Sequence, residues 1–284
     1  AAEKEARLAD GEAAPESEED FERLIAAAPG SSLLWIRYMM FLLARTEVSA
    51  ARLAGKRALE RIPLQAESER LNVWVARLNL EATHGTPQTL ARVFADAIRA
   101  TNPSKLYPAM IRVYRQQNRL AELDELLKVA VKQMPGDLAL WTSWMDAKFQ
   151  RGDADGARAL LPRALSALGP RIGPAAATHL AVLEFKEPAG TAERGRSILQ
   201  DIAENSTRHI DAWIVLADQE ERAGNIDRAR DTLRRLSNLP LPAKKMKAAL
   251  KRFLRFEQRH GTSADQQRVR DLAKAYVERR GGGE

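Results

Sequence analysis

Acidic side chains that could perform acid–base chemistry recur in this sequence at a fixed distance from an aromatic or apolar anchor. Each lies seven residues after its anchor, two helical turns later and on the same helix face. The acidic set is Glu81, Glu184, Glu220 and Glu257. A basic set recurs in the segments expected to face them: Arg52, Arg92, Arg158, Arg194 and Arg230. Because a buried charge requires a partner, this repetition indicates structural ion pairs rather than catalysis.

The four histidines give no sign of a metal site. His84 and His260 each precede a glycine, which places them at helix C-termini, where the helix dipole favours a cation. His179 falls in a core-like helix and His209 just before one, and no second ligand stands at metal-binding spacing. The stretch 153–156 begins like a calcium loop but lacks the later carboxylates, so we expect Asp153 to be a helix N-cap.

Other catalytic and cofactor-binding patterns are missing from the sequence. There is no cysteine, which excludes disulfides, thiolate metal ligands and a cysteine nucleophile. There is no glycine-rich phosphate loop or dinucleotide pattern, and the three glycines at 281–283 form the end of the chain. We therefore expect a protein that is not an enzyme and that uses no cofactor, metal or small-molecule substrate.

The residues discussed above are positioned by a repeat. Its aromatic anchors are Trp35, Trp74, Tyr107, Trp141 and Trp213. Weaker copies centre on Ala177 and Leu250, and the spacing between successive anchors is 33 to 39 residues. A pair such as Ala51-Arg52 follows most anchors after 16 or 17 residues, a distance that fits one helix, one turn and the start of another. The pattern therefore predicts repeated helix pairs.

These observations predict an all-α protein, an α-solenoid of about seven antiparallel helix pairs preceded by a half-repeat near 17–28. Glycines are expected to end first helices at Gly85, Gly152, Gly224 and Gly261. Small residues are expected to leave room for the anchors at Ala58, Ala97, Ala130 and Ala164. We expect the solenoid to extend over 17–280, after an acidic flexible lead at 1–16 and before a disordered tail at 281–284.

Proline and glycine mark two irregular places. Pro162 falls well inside a helix and is expected to bend it. The stretch LGPRIGPAA contains two prolines and two glycines between units, so we expect a flexible joint near 168–174 and any subdivision of the array there.

Composition excludes other classes of protein. The chain has 284 residues, of which 45% are hydrophobic, and this is enough to form a sizeable core. The charged fraction of 29% is too high for a membrane protein. No apolar run is long enough to span a bilayer, and no signal segment is visible. The first residue is not Met, so the chain can be a fragment, and the lack of cysteine fits an intracellular protein.

The densest positive charge lies in KKMKAALKRFLRFEQRHG, residues 244–261. On a helical wheel the apolar residues share one face, with Glu257 among them and Arg268 or Arg270 as its expected partner. The basic residues on the opposite face are Lys244, Lys245, Lys247, Lys251, Arg252, Arg255 and Arg259. A merely solvated face is the simplest interpretation, and a membrane-surface or calmodulin-binding helix is a further alternative. Because no acid on the helix offsets these charges, we predict contact with an RNA backbone or an acidic protein segment.

The repeat resembles the half-a-TPR (HAT) family, in which a first helix with Trp and a late Glu is followed by a second helix opening with Ala-Arg. The strings FERLIAAAPGSSLLWIRYMMF, LNVWVARLNLE and KKMKAALKRFLRFEQRHG further resemble the C-terminal region of eukaryotic pre-ribosomal RNA-processing factors with N-terminal S1 domains. At Ala177 and Leu250 the sequence departs from the family's aromatic anchor.

The resemblance implies a non-catalytic scaffold of ribosome biogenesis that acts in the nucleus and nucleolus. Its implied partners are proteins of the small-subunit processome and pre-rRNA, without a membrane. A HAT-repeat scaffold of mRNA 3′-end processing or splicing is the alternative.

Overall fold

The fold is given by a computed structural model that describes residues 15–205 and 210–281. Within these ranges it contains fourteen α-helices and no strand. In chain order they are α1 (Glu18–Ala27), α2 (Ser32–Ala44), α3 (Val48–Arg61), α4 (Glu67–His84), α5 (Pro87–Ala100), α6 (Pro103–Gln116), α7 (Leu120–Gln133), α8 (Leu138–Gln150), α9 (Ala154–Lys186), α10 (Ala192–Asn205), α11 (Ile210–Arg222), α12 (Ile226–Ser237), α13 (Ala243–His260) and α14 (Ser263–Gly281).

The long helix α9 is two helices joined at Gly169, where the backbone leaves the helical region. Counting α9 as two, the described residues form α1 followed by seven consecutive pairs. The prediction of an all-α repeat solenoid with a half-repeat at its start is therefore confirmed. Pro162 lies inside the first half of α9, and the bend that we expected there stays a prediction. The backbone break at Gly169 has a φ of +68°, which suits a residue without a side chain.

The chain divides into two compact units, the first ending at Leu123 and the second beginning at Asp124, so the boundary lies within α7. We expected a subdivision near 168–174, and that stretch lies inside the second unit instead. The joint itself stays a prediction. Most of the predicted acidic lead, the predicted tail beyond 281 and His209 lie outside the described residues.

The anchors of the first unit are buried. Trp35 is 0% exposed and its Nε1 donates a hydrogen bond to the Pro29 carbonyl oxygen at 3.0 Å, while Ala58 lies in the same core. Tyr107 packs edge-on against Phe94, with 5.7 Å between the ring centroids. These aromatic residues therefore stabilise the fold.

The second unit repeats this arrangement. Trp141 Nε1 donates to the Pro135 carbonyl oxygen at 2.8 Å, again six residues earlier in the chain, and Trp213 Nε1 donates to the Ala203 carbonyl oxygen at 3.2 Å. The two weaker anchors, Ala177 and Leu250, are also buried. All seven anchor positions thus belong to the interior.

Glycine ends the first helices for two different reasons. Gly152 and Gly224 have φ of +76° and +79°, the left-handed conformation that glycine adopts at no steric cost. Gly85 and Gly261 have negative φ, but a Cβ there would overlap the carboxylates of Glu81 and Glu257. At these two positions glycine makes room for the recurring buried acid.

Candidate polyanion-binding face

Three of the recurring acids pair with arginines of the recurring basic set. The Nε atoms of Arg52, Arg158 and Arg230 lie 2.8, 2.6 and 2.9 Å from carboxylate oxygens of the partner glutamates. Those partners are Glu81, Glu184 and Glu257. In each pair the second guanidinium hydrogen bond goes to the other carboxylate oxygen, giving a two-point contact.

Two predicted partners are wrong. Glu220 pairs with Arg196 rather than Arg194, and Glu257 pairs with Arg230 rather than with Arg268 or Arg270. Every pairing arginine is the fifth residue of its helix, whereas Arg194 is the third residue of α10.

Arg92 forms no ion pair within residues 15–205 and 210–281, and the position seven residues after the next anchor, Tyr107, is Tyr114 rather than an acid. Arg92 is the sixth residue of α5, and the fifth position is held by Ala91. A shift of one residue turns a side chain by about 100° around the helix.

The paired acids are poor candidates for proton transfer at neutral pH. The hydrogen bond from Arg52 lowers the pKa of Glu81. Burial alone would raise the pKa of Glu184, but the hydrogen bonds from Arg158 and the Thr191 backbone N–H outweigh it, so that this pKa is lowered as well. Both carboxylates are thereby held ionised and hydrogen-bonded, a structural role.

The other polar residues considered for chemistry are an N-cap, a histidine beside an aspartate and two histidines at helix ends. Asp153 is the N-cap of α9, as predicted, accepting the Gly156 backbone N–H at 2.9 Å. His179 Nε2 lies 2.7 Å from Asp146, and His84 and His260 are the last residues of α4 and α13. In the part of the chain that the structure describes, no three potential ligands cluster as a metal site.

Helix α13 buries its apolar side as predicted. The buried residues are Met246, Ala249, Leu250, Phe253, Phe256 and Glu257. The five apolar ones belong to a core that also contains Leu233 and Leu236 of α12 and Val269 of α14, so α13 is held between its sequence neighbours. This packing fixes which side of α13 faces solvent.

The solvent-facing side of α13 is basic. Six of the seven predicted residues are exposed: Lys244, Lys245, Lys247, Lys251, Arg255 and Arg259. Four of them, Lys244, Lys247, Lys251 and Arg255, form no salt bridge with any carboxylate of the described residues, and we call these four the basic face. The single acid of α13, Glu257, is buried on the opposite side with Arg230.

Arg252 is a correction to the predicted set. Its side chain is 17% exposed and contacts Asp218 and Glu221 of α11, with Nη2 2.6 Å from Glu221 Oε2. Burial alone would lower the pKa of Arg252, but hydrogen bonds to Glu221 and Asp218 raise it overall. Arg259 also reaches Glu221, at 3.1 Å. These acids come from another helix, so the sequence of α13 could not show that they offset its charge.

The chain is similar to curated proteins of rRNA biogenesis. It is 35% identical over 264 residues to the mouse Protein RRP5 homolog and 34% identical over 266 residues to the rRNA biogenesis protein RRP5 of Arabidopsis thaliana. Each match covers 93% of this chain and 14% of the relative, so the chain spans about one seventh of the length of these proteins.

Two further comparisons complete this picture. A solved structure of yeast Tom70 aligns with a TM-score of 0.39 at 16% identity, covering 93% of this chain and 64% of that one. No family profile matches the sequence. Within the described residues, no helix combines the length and apolar character needed to cross a membrane.

Proposed function

From the premise that this chain is a helical-repeat domain of the RRP5 type, we propose that it is a non-catalytic scaffold in rRNA processing. The observation that carries the proposal is the 34–35% identity to rRNA biogenesis proteins along 93% of the chain. The buried, paired acids support the non-catalytic part, because the side chains most suited to acid–base work are engaged in holding the repeats together.

The proposed setting is the small-subunit precursor particle in the nucleolus, with small-subunit processome proteins and pre-rRNA as partners. Stacked helix pairs expose rows of helices, a surface suited to binding other macromolecules. The basic face makes one such surface positively charged. Its proposed partner is therefore negatively charged, either an RNA backbone or an acidic protein segment.

A scaffold in mRNA 3′-end processing or splicing would share the repeat type. The repeat alone does not separate the two functions, whereas the identity to rRNA biogenesis proteins favours the first.

The proposal is tested by purifying the full-length protein that contains this domain from nuclear extract, beside a form that lacks residues 17–280. We expect the intact protein to recover precursor rRNA and small-subunit assembly proteins, and the shortened form to lose part of that set. Recovery of cleavage or splicing factors in place of pre-rRNA would contradict it.

A further inference from the structure

We infer that the basic face binds the phosphate backbone of a double-helical RNA segment without reading its sequence. This inference rests on the proposed function and deepens it, since it names which polyanion the face meets and in which form.

The four cations form one stripe on a rigid support. They follow one another in steps of three, four and four residues, so they lie on the same side of α13. At 1.5 Å per residue the stripe is about 16 Å long. Because the opposite side of the helix is buried among α12 and α14, the positions of these charges are fixed by the fold.

The fold gains nothing from this charge. Lys244 lies in the first turn of α13, where the helix dipole disfavours cations, and this turn contains no acid. No carboxylate among the described residues offsets Lys247, Lys251 or Arg255 either. One cation that opposes the dipole, together with three like charges beside it that no described carboxylate pairs, points to a partner that supplies the opposite sign.

The groups between the cations favour RNA over an acidic protein. A stable protein interface needs a buried apolar centre with aromatic or aliphatic anchors. Apart from basic residues, the exposed residues of this side are Ala248 and Gln258, whereas Phe253 and Phe256 are buried. An acidic protein segment on this face would therefore form only exposed ion pairs, each of which adds little binding free energy. A phosphate backbone can be bound by cations alone.

The same lack of exposed aromatic side chains favours a duplex over a single strand. Proteins that hold single strands stack the bases on aromatic side chains, and α13 presents none. A duplex keeps its bases stacked inside and exposes two phosphate backbones. Because side chains cannot enter the deep, narrow major groove of A-form RNA, we expect contact without sequence preference.

The test uses the purified chain and three probes: a 20-base-pair RNA hairpin, an unstructured RNA with the same number of nucleotides, and a polyglutamate peptide. Fluorescence anisotropy between 50 and 200 mM KCl gives the affinity and its salt dependence. We expect the hairpin to bind most tightly and polyglutamate to compete poorly. Two hairpins of unrelated sequence should bind equally well.

Substitutions in the basic face then test whether the hairpin binds there. The variant Lys247→Gln, Lys251→Gln, Arg255→Gln should flatten the slope of log affinity against log salt by about 2.7, or 0.9 for each lost phosphate contact. The matched control is Lys56→Gln, Arg92→Gln, Lys132→Gln, which removes the same charge from exposed positions of α3, α5 and α7. The control should keep the original slope, and both variants should keep the original helicity and melting temperature.

Each other result contradicts the inference. Equal losses in both variants would mean that net charge alone drives binding, and no loss in either would mean that the face is only solvated. Tighter binding of the single strand would show that the face prefers single-stranded RNA. Effective competition by polyglutamate would show that it prefers an acidic protein segment. Failure of the full-length protein to recover pre-rRNA would instead contradict the proposed function, whatever the hairpin assay shows.

Discussion

At the scale of single residues, each buried glutamate joins two repeat units, because its arginine comes from the second helix of the preceding pair. Glu184 is the clearest case: it is 1% exposed and accepts hydrogen bonds from Arg158 and from the Thr191 backbone N–H. Removing one partner of such a pair leaves a buried charge without compensation, which costs far more than losing an exposed ion pair.

Glu184→Gln should therefore lower the free energy of unfolding at pH 7 by about 1.5–3 kcal/mol, the range for a hydrogen bond to a charged group. The pKa of Glu184 is lowered in the folded state, so its contribution is complete above about pH 4.5 and is lost as the pH falls through the folded pKa. Urea unfolding of both proteins from pH 7 to pH 3.5 should show a difference that shrinks below about pH 4.5.

Glu125→Gln is the control, because Glu125 is exposed and its pair with Lys128 spans 3.4 Å. It should change stability by less than about 0.5 kcal/mol at any of these pH values. A Glu184→Gln variant that behaves like this control would show that the pair contributes nothing to stability.

At the scale of elements, the break in α9 at Gly169 interrupts the backbone hydrogen bonds of the helix. Beyond Gly169 a new helix starts, and the first N–H groups of any helix have no intrahelical acceptor. Pro170 and Pro174 carry no N–H at all. Residues 171–173 therefore contain donors that no preceding turn satisfies.

Hydrogen exchange should reveal this joint in the intact chain. We expect the amides of 171–173 to exchange much faster than those of 157–161 and 178–183, which lie inside the two halves of α9. The measurement is amide exchange by NMR or mass spectrometry at pH 7. Equal protection across all three segments would show that α9 opens as one continuous helix and that 168–174 is no joint.

Sequence reasoning succeeded where a feature repeats and failed where it depends on the start of a helix or on a distant partner. The spacing of Trp35, Trp74 and Trp141 predicts helix pairs because most units bury a large aromatic side chain at the same position. Arg194 was assigned wrongly since the start of α10 decides which arginine faces the glutamate, and helix starts are poorly fixed by sequence. Arg252 is wrongly predicted as one of the seven solvent-facing basic residues of α13 because its partners, Asp218 and Glu221, lie more than 30 residues earlier.

At the scale of the whole molecule, the division at Leu123 and Asp124 makes a prediction about which part of the chain folds alone. The second unit includes most of α7, and Asp124 accepts a hydrogen bond from Trp144 Nε1 at 2.6 Å and a salt bridge from Lys148 at 3.3 Å. Because these contacts bury a carboxylate and an amine together, α7 belongs to the fold of the second unit and is required for its stability.

A fragment of residues 119–284, which keeps all of α7, should therefore be helical by circular dichroism and unfold in one cooperative transition. It retains α13 and its neighbours, so it should bind the RNA hairpin with the salt slope of the whole chain. A fragment of residues 135–284 lacks Asp124, and among the described residues it leaves Lys148 with Asp153 alone as an acidic partner, so it should melt at a markedly lower temperature. Equal melting of the two fragments would show that α7 adds nothing to the second unit, and an unfolded 119–284 fragment would show that this unit cannot fold alone.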